Sequence, residues 1–82
     1  MSETADFYLD ITNEVCPMTF VRTKLLVERM ASGQTMELRL KGMEPLANVP
    51  RSLVELGHHL SEPVAEPGEA ADGIHRLRIR KR

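Results

Sequence analysis

Hydrophobic and polar residues alternate most strictly over residues 35–41. Met36, Leu38 and Leu40 face one way there, and Thr35, Glu37, Arg39 and Lys41 the other. A period of two marks a half-buried strand whose polar side is expected to be wet. The same alternation sets Phe7, Leu9 and Ile11 against Tyr8 and Asp10, and Leu77 and Ile79 against Arg76, Arg78 and Arg80. Between the first two strands the period lengthens. Residues 18–31 contain no Gly or Pro, and Phe20, Thr23, Val27 and Met30 share a face at spacings of three and four, with Leu26 at its edge. That is a helix, and Gly33 suits its end. A second helical stretch opens at Pro45, with Leu46, Val49, Leu53 and then Leu56 or Gly57 spaced to face a sheet. Pro50 fits poorly inside it, so the helix is expected either to begin near Pro50 with Asn48 as its cap or to kink. Leu60 and Val64 belong to a weaker strand that Pro63 marks as an edge. Residues 65–73, rich in Ala, Gly, Pro and acid, read as a loop.

The element order is therefore β-α-β-α-β-β. Packed economically, it predicts an α+β fold: a two-layer α/β sandwich with two helices on one face of a four-stranded mixed sheet. The 82 residues are expected to form one domain, 1–82, with residues 1–6 disordered. Aromatic residues are scarce, so Leu, Val, Met and Ile must fill the core. Eleven Lys and Arg against twelve Asp and Glu leave bulk charge that selects no partner. A single cysteine rules out an internal disulfide and argues against a secreted, bridge-stapled module. The first residues lack the basic and apolar pattern of a signal peptide, and no apolar segment is long enough to span a bilayer. These features predict a cytoplasmic chain, away from membranes, and a monomer.

That cysteine carries the candidate chemistry. Cys16 stands directly before Pro17 at the expected start of the first helix. Proline suits the first helical position, where a missing N–H costs nothing. Cys16 then falls at the N-cap, where unpaired backbone N–H groups and the positive end of the helix dipole favour an anion. A thiol held there ionises more readily than a free one, which suits sulfur chemistry. Met18 and Thr19 are expected to offer N–H groups to negative sulfur. The competing reading makes Cys16 a buried, inert small hydrophobe.

Taken together, these residues resemble the TusA/SirA-like family of small sulfur carriers. The resemblance rests on Leu9-Asp10, Cys16-Pro17, Thr23-Lys24, Gly33, Pro45, Pro50 and Gly57-His58, in that order and spacing, and covers nearly the whole chain. It implies that Cys16 accepts persulfide sulfur from a cysteine desulfurase or rhodanese-like donor. The sulfur then passes to an acceptor protein for tRNA thiolation, cofactor biosynthesis or sulfur metabolism. Such a protein is a sulfurtransferase-type relay rather than a complete enzyme and needs no cofactor and no metal. The alternative is a non-catalytic regulatory or interaction module of the same fold, with Cys16 as redox sensor or relic. The chain departs from the family pattern in three places: Thr19 replaces the second proline of the Cys-Pro-x-Pro motif, Asn13 replaces a turn glycine, and Gly42-Met43-Glu44 replaces an Asp-rich turn. An extra N–H and hydroxyl at Thr19 are expected to support the sulfur anion.

Other features have two readings each. Met18, Val21 and Leu25 form a second apolar stripe on the first helix. It either packs sideways against the second helix or lies exposed as a partner-binding patch beside Cys16. Arg22 and Lys24 either attract a partner and the persulfide or simply belong to a solvated face. Arg39, Lys41, Arg76, Arg78, Arg80, Lys81 and Arg82 would line the wet sheet face. Without aromatic residues beyond Tyr8 to stack on bases, direct nucleic-acid binding is not expected, and the charges read as protection of an edge. His58, His59 and His75 lack the spacing of a metal site. His58 and Asp10 are expected to be structural.

Overall fold

The computed structural model describes residues 5–15 and 18–82. The two strictest alternating segments pair with each other. Strand β2 (Thr35–Lys41) runs antiparallel to the last strand, Ile74–Arg80, over its whole length, from Thr35 opposite Arg80 to Lys41 opposite Ile74. Strand β1 (Phe7–Asp10) lies parallel to β2 on its other side, with Phe7 opposite Met36 and Leu9 opposite Leu38. A parallel neighbour requires a crossover, and helix α1 (Met18–Arg29) supplies it. On the inner face Met36, Leu38, Leu40, Leu77 and Ile79 are buried, together with Ile11, Val27, Met30, Val49 and Leu53.

Helix α1 buries Thr19, Thr23 and Val27, with Met30 just beyond its end. The expected face is therefore rotated slightly: Thr19 takes the central position and Phe20 moves to the half-buried flank. The Thr23 hydroxyl donates to the Thr19 carbonyl at 2.8 Å, which satisfies one buried polar group without a core partner. Beyond the helix, the Lys81 ammonium donates to the carbonyls of Val27 and Met30 at 2.9 and 3.0 Å. A cation there caps unpaired carbonyls and complements the negative helix end.

Helix α2 (Met43–Glu55) runs through Pro50 without ending, so Asn48 is interior and does not cap it. Instead, the Asn48 side-chain oxygen accepts a hydrogen bond from Arg51 at 2.9 Å. The helix starts earlier than expected because Pro45 lies in its first turn, where the absent N–H has no intrahelical partner to lose. Burial of Pro45, Val49 and Leu53 against the sheet offsets the cost of Pro50, about 3 kcal/mol in a helix interior. The helix ends in a Schellman arrangement. Gly57, with φ +95°, donates to the Val54 carbonyl at 2.9 Å, and His58 donates to Leu53 at 3.2 Å. The Gly57-His58 pair is thus a helix terminus, and the His58 ring Nδ1 accepts the Arg82 amide at 3.2 Å.

The weak edge strand divides in two, giving a five-stranded sheet. Strands β3 (His59–Leu60) and β4 (Val64–Ala65) both pair antiparallel with β5 (Ile74–Arg80). Between them the register steps by one residue, because Leu60 opposes Ile79 whereas Val64 opposes Arg76. One extra residue in the edge strand makes a bulge, and Pro63, which has no N–H for the ladder, lies inside it. The order β1-β2-β5-β3 leaves β1 at one edge of the sheet. Asp6, ahead of β1, exchanges hydrogen bonds with Thr35: its carboxylate accepts the Thr35 amide at 3.0 Å.

Candidate functional site

The turn between β1 and α1 is built from local hydrogen bonds. The Asp10 carboxylate accepts the Thr12 amide at 2.9 Å and the Thr12 hydroxyl at 2.7 Å, and Glu14 donates to the Ile11 carbonyl at 3.1 Å. These bonds, with an Arg39 guanidinium 3.0 Å away, hold Asp10 below the usual carboxylate range. Asp10 therefore secures the turn, as expected. Cys16 and Pro17 lie outside the described residues. Both residues flanking them, Val15 and Met18, are exposed.

The amides of Met18 and Thr19 both donate to the Val15 carbonyl, at 2.8 and 3.3 Å. These two N–H groups, expected to face a sulfur anion, already have an acceptor. Thr19 itself is fully buried, so its side chain belongs to the packed face of α1.

The second stripe of α1 is exposed. Met18, Val21 and Leu25 keep 44%, 37% and 57% of their surface, so they are not buried against α2. Together with Leu9 of β1 and Leu26 they line a shallow groove of about 250 Å³, with Arg22 and Arg29 at its sides. It lies where α1 overhangs the edge strand β1, and no residue of α2 lines it. Arg22 also reaches back to the turn and pairs with Glu14 at 2.9 Å. Lys24 is elsewhere. It pairs with Glu28 at 2.7 Å and borders a separate cleft beside Leu53, His58 and Arg82. The structure thus brings together Met18, Val21, Arg22 and Leu25 and sets Lys24 apart. Sequence reasoning missed Leu9, Leu26 and Arg29. The spacing 18, 22, 25, 29 carried the signal for Arg29, whereas Leu9 enters only through the strand-to-helix packing.

Three of the basic residues on the wet sheet face, Arg39, Arg76 and Arg78, are paired with carboxylates. Arg39 donates to Glu66 at 2.8 and 3.1 Å and to Asp10 at 3.0 Å. Arg76 donates to Glu66 at 2.7 Å and to Glu37 at 2.8 Å, and Arg78 lies 3.6 Å from Glu37. The hydrogen bonds from Arg39, then Arg76, pull the Glu66 carboxyl down to about 2. Lys81 leaves this face altogether to cap α1. Burial, then the nearby cations Lys81 and Arg82, lower the pKa of His58, a residue expected to be structural. Among the described residues no three His, Cys, Asp or Glu side chains converge to hold a metal ion. No described helix is long and apolar enough to cross a membrane.

Comparison with known proteins bears on the family and the fold. The model of the family described as "Sulfurtransferase TusA" matches residues 7–81. A protein of Archaeoglobus fulgidus named "Putative sulfur carrier protein" is 41% identical over 56 residues, covering 68% of this chain and 64% of that protein. This chain therefore spans a little under two thirds of that relative's length. In fold, the crystal structure of a SirA-like protein from Desulfitobacterium hafniense superimposes with a TM-score of 0.75 at 15% identity, over 90% of this chain and 95% of that one. The family match over residues 7–81 places the chain in the TusA sulfurtransferase family.

Proposed function

We propose that this protein is a small sulfur carrier that takes persulfide sulfur on Cys16 and relays it to an acceptor protein. The observation that carries the reading is the family match over residues 7–81, which encloses the chain's only cysteine. In the first step the Cys16 thiolate attacks the terminal sulfur of a donor persulfide, held by a cysteine desulfurase or rhodanese-like protein. The donor S–S bond breaks, the donor thiolate leaves, and Cys16 becomes a persulfide. In the second step an acceptor thiolate attacks that terminal sulfur and Cys16 leaves as a thiolate. Neither step changes the net oxidation state, so no external oxidant or reductant is needed. With no second cysteine, the loaded sulfur cannot be expelled through an internal disulfide, and release waits for a partner thiol.

Within this reading Pro17 fixes the start of α1. Because the Met18 and Thr19 amides already donate to Val15, the first turn supports the sulfur anion chiefly through its dipole. Met18, Val21, Arg22 and Leu25 form the surface that a partner meets, and Lys24 contributes from the neighbouring flank.

The test is a two-step transfer. Protein loaded by a desulfurase and cysteine is freed of donor and mixed with excess small thiol. The reading predicts release of one sulfide per loaded protein and recovery of the unmodified mass. Loading without discharge, or an oxidised Cys16 in place of a persulfide, would favour the redox-sensing module.

A further inference from the structure

The groove over the β1 edge has a chemistry that restricts what fits it. Its apolar residues follow α1 at helical spacing, Met18, Val21 and Leu25, with Leu9 beneath. From Met18 to Arg29 this stripe runs roughly 16 Å along the helix axis. A partner element laid beside α1 would extend the helical layer past the point where the sheet ends. Among the described residues the groove's only charged lining residues are Arg22 and Arg29, and no described carboxylate lines it. Arg22 is partly compensated by Glu14, whereas Arg29 makes no ion pair among the described residues. A second copy docked through the same groove would set these two arginines against the partner copy's own pair, which like-charge repulsion disfavours.

We infer that the groove binds a helical segment of another protein with an apolar stripe and flanking carboxylates. The apolar stripe would cover Met18, Val21, Leu25 and Leu9, and the carboxylates would meet Arg29 and Arg22. This is helix-in-groove recognition, read out by anchors at helical spacing. That the protein bearing this segment exchanges sulfur with Cys16 rests on the sulfur-carrier reading. The contact itself does not.

The test uses reduced full-length protein and two synthetic helical peptides with the same Leu-rich face, one with Glu and one with Lys on its flanks. Binding is followed by fluorescence anisotropy and by amide chemical shifts. The Glu peptide is expected to bind at least about tenfold tighter than the Lys peptide, and more weakly as salt rises. Shifts should cluster at Leu9, Met18, Val21, Leu25 and Arg29. Leu25→Asp and Arg29→Glu, each at an exposed position and checked by thermal melting, should each abolish that preference or the binding itself. Equal binding of both peptides, shifts away from the groove, or no binding of the Glu peptide at millimolar concentration would overturn the inference. So would a concentration-dependent dimer that Leu25→Asp disrupts, which would make a second copy the occupant. Parallel loading of Cys16 with inorganic polysulfide and mass measurement separates the two claims. Loading without peptide binding removes the groove proposal alone, and binding without loading removes the carrier reading alone.

Discussion

Replacing Lys81 by Met is expected to loosen the end of α1 from the far end of the chain. The Lys81 ammonium donates to two carbonyls, Val27 at 2.9 Å and Met30 at 3.0 Å, and sits at the negative end of the helix. Methionine keeps an apolar stem of similar length but no donor. The backbone bonds at position 81, from its amide to Gln34 and from Gly33 to its carbonyl, remain. A hydrogen bond to a charged group contributes about 1.5–3 kcal/mol. Lys81 is only half-buried, and water rehydrates the freed carbonyls, so the two bonds together are set near the lower end, at about 2 kcal/mol. For a domain of this size that lowers Tm by roughly 8–16 °C. Thermal and urea unfolding measure the loss, and hydrogen exchange locates it: the Met30 amide, which bonds to Val27, should exchange faster. A loss below about 0.5 kcal/mol, or unchanged exchange at Met30, would refute the claim that Lys81 caps the helix.

Glu66 has a folded pKa of about 2 against an ordinary 4.5, so it favours the folded state above about pH 4.5 and that contribution is lost as pH falls toward 2. Glu66→Gln should remove this part of the acid dependence, and an unchanged acid-unfolding profile would deny the Arg39–Glu66–Arg76 cluster its role. Gly57→Ala places a Cβ at φ +95°, 2.7 Å from the Arg82 side chain, and should cost about 1–2 kcal/mol in urea unfolding. Leu38→Ala empties a fully buried position on the central strand and should cost about 2–5 kcal/mol. A loss under 1 kcal/mol at Leu38 would mean that the core closes around the gap.

Where one local rule decided the outcome, the sequence was a good guide. Thr35–Lys41 alternates without exception because one of its faces meets the helices and the other does not, and the strand has those bounds. Leu9-Asp10 and Gly57-His58 resembled family markers, and the structure gives each a mechanical reason: an Asp-stabilised turn and a helix terminus. Competing rules hid the rest. Pro50 argued against a helix interior, but burial of Val49 and Leu53 outweighed its missing N–H. Leu60 and Val64 read as one strand because a one-residue register step leaves no trace in hydropathy. Spacing along α1 grouped Met18, Val21 and Leu25 but did not say which flank α2 would take, so their exposure emerged only from packing. The capping role of Lys81 joins residues 51 and 54 positions apart and had no local signature.

The proposed carrier holds its sulfur on Cys16. The most direct test is the intact mass, without reductant, of wild type and Cys16→Ser after incubation with a cysteine desulfurase and cysteine. Wild type alone should gain one sulfur atom. No gain on wild type, with this donor or with a rhodanese and thiosulfate, or an equal gain on Cys16→Ser, would contradict it.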